Sequence, residues 1–182
     1  FGVEPDMAVY GKTLGNGFAI TAVVGRREVM DAAQSTFISS TFWTERVGPA
    51  AALKALEVIK REQAWERITA TGIDYRKRLD ALASAHNISV NHAGLPAITT
   101  YGFASDNALS YKTFVTQEML KQGYLATTGM YACILHTDEM LDSYFGALDP
   151  IFAAIAKCEK GEEDIASLLD GPVCHGGFKR LN

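Results

Sequence analysis

The chain has 182 residues, 48% hydrophobic and 21% charged, with a formal net charge of −4; it is long enough for a sizeable core and has the composition of an ordinary globular protein of one or two domains. The weak acidity, without a sustained basic run, leaves no electrostatic footprint for nucleic acid or an anionic membrane surface. Three cysteines, Cys133, Cys158 and Cys174, lack paired C-x-x-C spacing, and no apolar run approaches the roughly 20 residues of a spanning helix, so neither a disulfide framework, a zinc knuckle nor a membrane span is indicated.

A reducing cytoplasm is the expected compartment. Because Phe1 rather than Met comes first and a strand follows almost at once, the residues are expected to be part of something longer. Met7 to Tyr10 suits a short buried strand, and Ile20 to Val24 a second one, with a glycine-rich segment between them. Arg27 to Gln34 predicts a short helix, followed by the hydroxyl-rich loop STFISSTFWTE at residues 35 to 45. From Gly48 a helix is expected with Ala52, Leu56 and Ile59 on one face and its proline near the start, where the missing N–H costs little.

A second helical run, Trp65 to Ala85, repeats Ile68, Gly72, Tyr75, Leu79 and Leu82 at three- and four-residue steps. Strands are then expected at 88 to 93 and 97 to 103 around a Gly-Leu-Pro turn, an amphipathic helix near 109 to 122, and short strands near 124 to 127 and 132 to 135. A last helix spans about 138 to 158, with Thr137 placed to cap it and Asp138 and Glu139 in its first turn, where the helix dipole favours negative charge. A turn-rich tail follows. The pattern is α/β in the first third and a compact α+β layer thereafter.

Lys12 carries the functional question. Gly11-Lys12-Thr13 spells the end of a P-loop, but Asp6 stands where that pattern wants a glycine, and strand-like residues replace the amide cradle that must precede the lysine. The Gly-x-Gly-x-x-Gly pattern fails too, because position 20 is Ile20. On residue type alone Lys12 is either a solvated charge at a strand end or an amine for covalent chemistry, the latter helped by small Gly11 and the flexible Gly15-Asn16-Gly17, which let backbone approach a bulky partner. His86, His92, His136 and His175 form no ligand spacing, and no metal site is expected.

Residues 4 to 30, EPDMAVYGKTLGNGFAITAVVGRREVM, resemble the lysine segment of class III pyridoxal-phosphate aminotransferases, nearest to the glutamate-1-semialdehyde aminomutase branch. SSTFWTERVGPAAALKALE is similar to that family's next segment, in which a threonine reaches the cofactor phosphate of the neighbouring subunit; Thr41 takes the matching place, with Ser40 beside it. GYLATTGMYACILHTDEMLDSYFGALDPIFAAI resembles, less specifically, the small C-terminal domain, so the likeness runs from residue 4 to about 157.

The resemblance implies the C-terminal portion of a fold type I transferase. Residues 1–62 would end the large domain, 63–160 would hold the connecting helix and a small α+β domain, and 161–182 a tail. It further implies pyridoxal 5'-phosphate bound as a Schiff base on Lys12, phosphate contacts from Ser40 and Thr41 across a homodimer interface, and a small amino or carbonyl substrate. The family's phosphate-binding glycine-serine turn, ring-stacking aromatic and pyridine-nitrogen aspartate have no counterpart among the eleven residues before Lys12. Residues 131 to 135, YACIL, also lack the arginine that many ω-amino-acid members carry. This favours an aminomutase-like enzyme or a relative acting on another carbonyl compound, such as one in polysaccharide synthesis. The competing expectation is a non-catalytic fragment or interaction domain, and the 182-residue segment is expected to be inactive by itself.

Overall fold

Two apolar tetrapeptides pair first: β1 (Met7–Tyr10) and β2 (Ala22–Gly25) run antiparallel, Met7 opposite Gly25 and Tyr10 opposite Ala22. They are seen in a computed structural model that describes residues 2–177. β2 starts two residues later than its apolar run predicts because Ile20 leaves the ladder to lie against Gly15 and Gly48. Gly25 is required by closeness, since a Cβ there would stand 2.6 Å from the Asp6 carbonyl oxygen.

The chain divides into two units, Phe1–Ala64 and Trp65–Asn182. In the first, the expected short helix appears as α1 (Arg27–Met30) continued by a 3-10 turn, Asp31–Ser35. Then comes α2 (Val47–Arg61), whose sheltered face is Gly48, Ala52, Ala55 and Ile59. Leu56, expected on that face, is half exposed, because the buried stripe runs through the small residues one position earlier.

The second unit is built on α3 (Ala64–Ala85), which starts at the boundary, and on a three-stranded antiparallel sheet of β3 (Val90–Ala93), β4 (Ile98–Phe103) and β5 (Gly129–Tyr131) in that order. In β4 the alternation is strict: Thr99, Tyr101 and Phe103 are buried and the residues between them exposed. The helices α4 (Ala108–Lys121), α5 (Asp138–Glu159) and α6 (Ile165–Leu168) complete it. Their apolar stripes share one core with the sheet, centred on Tyr75, Leu79, Tyr111, Met119, Phe152 and Ile155. Thr137 caps α5 as expected, its hydroxyl accepting from Met140 N at 3.3 Å.

The strands expected near 124–127 and 132–135 are absent as such among the described residues, and one strand at 129–131 takes their place. Tyr124 turns instead to α5, where its hydroxyl meets Ser143 Oγ at 2.7 Å and its ring packs edge-on against Tyr144. Residues 133 to 136 fold into a turn, with His136 N donating to the Cys133 carbonyl at 3.1 Å and Cys133 N donating to His136 Nδ1 at 3.2 Å. Of the turn-rich tail, Ile165 belongs to the core and Gln117 holds the backbone of Leu168 and Asp170; residues 178–182 lie outside the described residues. No helix among the described residues is long and apolar enough to cross a membrane.

Candidate active site

Lys12 opens a 3-10 turn, Lys12–Leu14, directly after β1. Its own carbonyl accepts from Gly15 N at 3.2 Å and Asn16 N at 3.0 Å, and Leu14 N donates to Gly11 O at 3.1 Å. Lys12 has φ of 48°, in the left-handed region, a conformation that costs a non-glycine residue roughly 1–2 kcal/mol. Asn16 is left-handed too, with φ of 45°, which matches the turn-forming role its flanking glycines suggest. The Lys12 side chain is exposed, and no salt bridge or hydrogen bond to its amine is found among the described residues.

The turn is held from behind by close packing. A Cβ at Gly15 would stand 2.0 Å from the Phe18 carbonyl oxygen and 2.8 Å from Ile20 Cγ2, so only glycine fits. Gly48, in the first turn of α2, is buried, and a Cβ there would stand 2.7 Å from the Ala19 carbonyl oxygen. Before β1, Arg26 bridges Asp6 at 3.1 Å and Glu4 at 3.6 Å, while its N–H donates to Asp6 O at 3.0 Å. Asp6 is thus spent on fastening the strand pair.

Ser40 and Thr41 lie on the exposed loop between the 3-10 turn and α2. Ser40 Oγ accepts from Phe42 N at 3.2 Å, a local hydroxyl turn. No hydrogen bond joins Ser40 or Thr41 to Lys12 among the described residues. The loop exposes large apolar side chains: Phe37 is 94% exposed, Trp43 66% and Phe42 54%. It ends on Glu45, whose two carboxylate oxygens accept from Val47 N at 2.6 Å and Gly48 N at 3.0 Å. Glu45 escaped the sequence reading because the usual capping signal is a short polar residue at the N-cap, and Arg46 occupies that position.

The histidines play other parts. His86 Nε2 lies 2.9 Å from Asp149 Oδ1, and His92 Nε2 lies 2.6 Å from Asp80 Oδ1. Both fasten α3 to neighbouring elements of the second unit.

The family model described as aminotransferase class-III matches residues 1–141. The chain belongs to the class III aminotransferases. It is 31% identical over 163 residues to a 3-aminobutyryl-CoA aminotransferase of Cloacimonas acidaminovorans (strain Evry), covering 86% of this chain and 39% of that protein. It is 29% identical over 128 residues to a glutamate-1-semialdehyde 2,1-aminomutase of Methanococcoides burtonii, covering 69% of this chain and 30% of that one. Among solved structures it is similar to the PLP internal aldimine form of the Sphingopyxis sp. MTA144 FumI protein, with a TM-score of 0.80 and 26% identity over 92% of this chain and 41% of that one.

The class III chain therefore spans 30–41% of the length of these three proteins. Its fold is a partial fold type I transferase. Both aminotransferases and aminomutases stand among its relatives.

Proposed function

We propose that these residues are the C-terminal part of a pyridoxal-phosphate-dependent aminotransferase or aminomutase, with Lys12 as the covalent anchor of the cofactor. The observation that carries this is the state of Lys12: an exposed primary amine with no partner among the described residues, its backbone in the left-handed region at the start of a 3-10 turn inside the family's matched segment. The donors present fit the group. An unpaired amine suits an aldehyde carbon, and the hydroxyls and amides of Ser40 and Thr41 suit a phosphate dianion.

Pyridoxal phosphate, when bound, supplies the electron sink that lets an amino group change carbons. The chain's own contribution is the amine. Lys12 Nζ would hold the cofactor through its aldehyde carbon and, as the free amine, would move a proton between the substrate α-carbon and the cofactor's C4′. Arginine cannot substitute, because its guanidinium stays protonated.

Ser40 and Thr41 are assigned to the cofactor phosphate of a second copy, making the enzyme a homodimer. The uncovered Phe37, Phe42 and Trp43 beside them support a partner at this loop. In this assignment residues 1–62 end the large domain, 63–160 hold the connecting helix and small domain, and 161–182 form a tail. The substrate is a small amino or carbonyl compound. Without an arginine between Tyr131 and Leu135, an aminomutase-like reaction or transfer to another carbonyl compound, such as one in polysaccharide synthesis, is favoured over an ω-amino acid. The cytoplasm is the proposed location.

The test is absorbance of the intact protein with pyridoxal phosphate. The unaltered protein should develop a substrate-independent visible band, and Lys12→Ala and Lys12→Arg should both lose it. A full band in Lys12→Ala would remove the assignment, and no band in the unaltered protein would leave a non-catalytic domain as the better account.

A further inference from the structure

We infer that Glu45 is a positioning residue for Lys12, acting through the start of α2; this rests on the reading of Lys12 as the cofactor anchor. Glu45 touches none of the reacting groups. Its carboxylate takes both Val47 N, at 2.6 Å, and Gly48 N, at 3.0 Å, and so fixes the first turn of the helix from two residues before its start. A carboxylate at a helix start is favoured by the dipole as well as by the amides it satisfies.

From there the hold passes through contacts that leave no slack. Gly48 lies so close to the Ala19 carbonyl that a Cβ would come within 2.7 Å of it and within 3.3 Å of Ile20 Cβ. Ile20 in turn fills the space against Gly15, where a Cβ would be 2.8 Å from its Cγ2. Gly15 N donates to the carbonyl of Lys12 at 3.2 Å. The path thus runs from Glu45 to the residue whose left-handed backbone must be held by its surroundings. It also links two cofactor segments of one chain, because Glu45 ends the loop that carries Ser40 and Thr41. With Glu45 on the helix amides, that loop's own donors remain for phosphate.

The experiment uses the intact protein as Glu45→Ala and Glu45→Gln, read by amide hydrogen exchange without cofactor and by borohydride reduction with pyridoxal phosphate followed by peptide mapping. In Glu45→Ala, exchange at residues 13–20 and at Val47 and Gly48 should rise roughly tenfold, as expected for loss of a helix cap, while α4 and α5 are unchanged. The share of label on Lys12 should fall, with more on other lysines. Glu45→Gln keeps one acceptor oxygen and should recover much of both signals.

Unchanged exchange and labelling in Glu45→Ala, or Glu45→Gln as impaired as Glu45→Ala, would overturn the inference. A rise spread equally over α4 and α5 would do the same, by showing general loosening. If the unaltered protein is labelled at a lysine other than Lys12, the anchor assignment is what fails. The exchange comparison still decides whether Glu45 holds the turn.

Discussion

Tyr111 shows how one buried group sets a pH limit on this fold. Its hydroxyl donates to Glu159 at 2.5 Å, and Ser105 donates to the same oxygen at 2.7 Å. Burial, and next the hydrogen bond to Glu159, push the phenol up to about 12. A tyrosine in an unfolded chain ionises near pH ~10, so above that pH the unfolded form loses a proton that the folded form keeps. Stability is therefore full below about pH 10 and falls as pH rises toward the folded value. Denaturant titrations across this range should show a shallower alkaline loss in Tyr111→Phe than in the unaltered protein. Burial also raises Tyr75 and Tyr101, so part of the slope should remain. An identical slope in the variant would contradict the assignment.

Among the elements, α3 and the β3–β4 hairpin are locked by two residues with opposite means. Gly72 makes room: a Cβ there would stand 1.8 Å from the Pro96 carbonyl oxygen. Arg76, one turn on, donates from Nε to Thr99 Oγ1 at 2.7 Å and from Nη2 to the carbonyls of Ala93 at 3.1 Å and Gly94 at 2.8 Å. Gly72→Ala should destabilise the protein by about 1–3 kcal/mol despite its better helix propensity, because backbone must move to admit the methyl group; equal stability in denaturant melts would refute this packing. Elements of this kind are legible in sequence when their period is long. The repeat through Gly72, Tyr75 and Leu79 announced α3, and Thr137 with its acidic successors announced α5. β5 was misplaced because Tyr124 and Cys133, which read as strand, are claimed by contacts to α5 and by a local turn. Glu45 was invisible for a related reason, since its role depends on where α2 starts.

At the scale of the molecule, the two units differ in how much they bury alone. The second has a continuous core of aromatic and aliphatic side chains, whereas the first leaves Val9, Phe18, Trp43 and Leu53 uncovered. Apolar exposure on that scale marks surface that other polypeptide covers, and the chain spans 30–41% of the length of the three relatives described. The letters carried only part of the proposed site. Lys12 could be proposed from sequence because the candidate anchor is a single residue in a short segment. The groups that would hold the pyridine ring could not, because the family's ring-stacking aromatic and pyridine-nitrogen aspartate have no counterpart among the eleven residues before Lys12. The most direct test of the central claim is borohydride reduction of the intact protein with pyridoxal phosphate, followed by peptide mapping. The pyridoxyl group should be found chiefly on Lys12, at about one per chain; a pyridoxyl group chiefly on another lysine, or none fixed at all, would contradict the account.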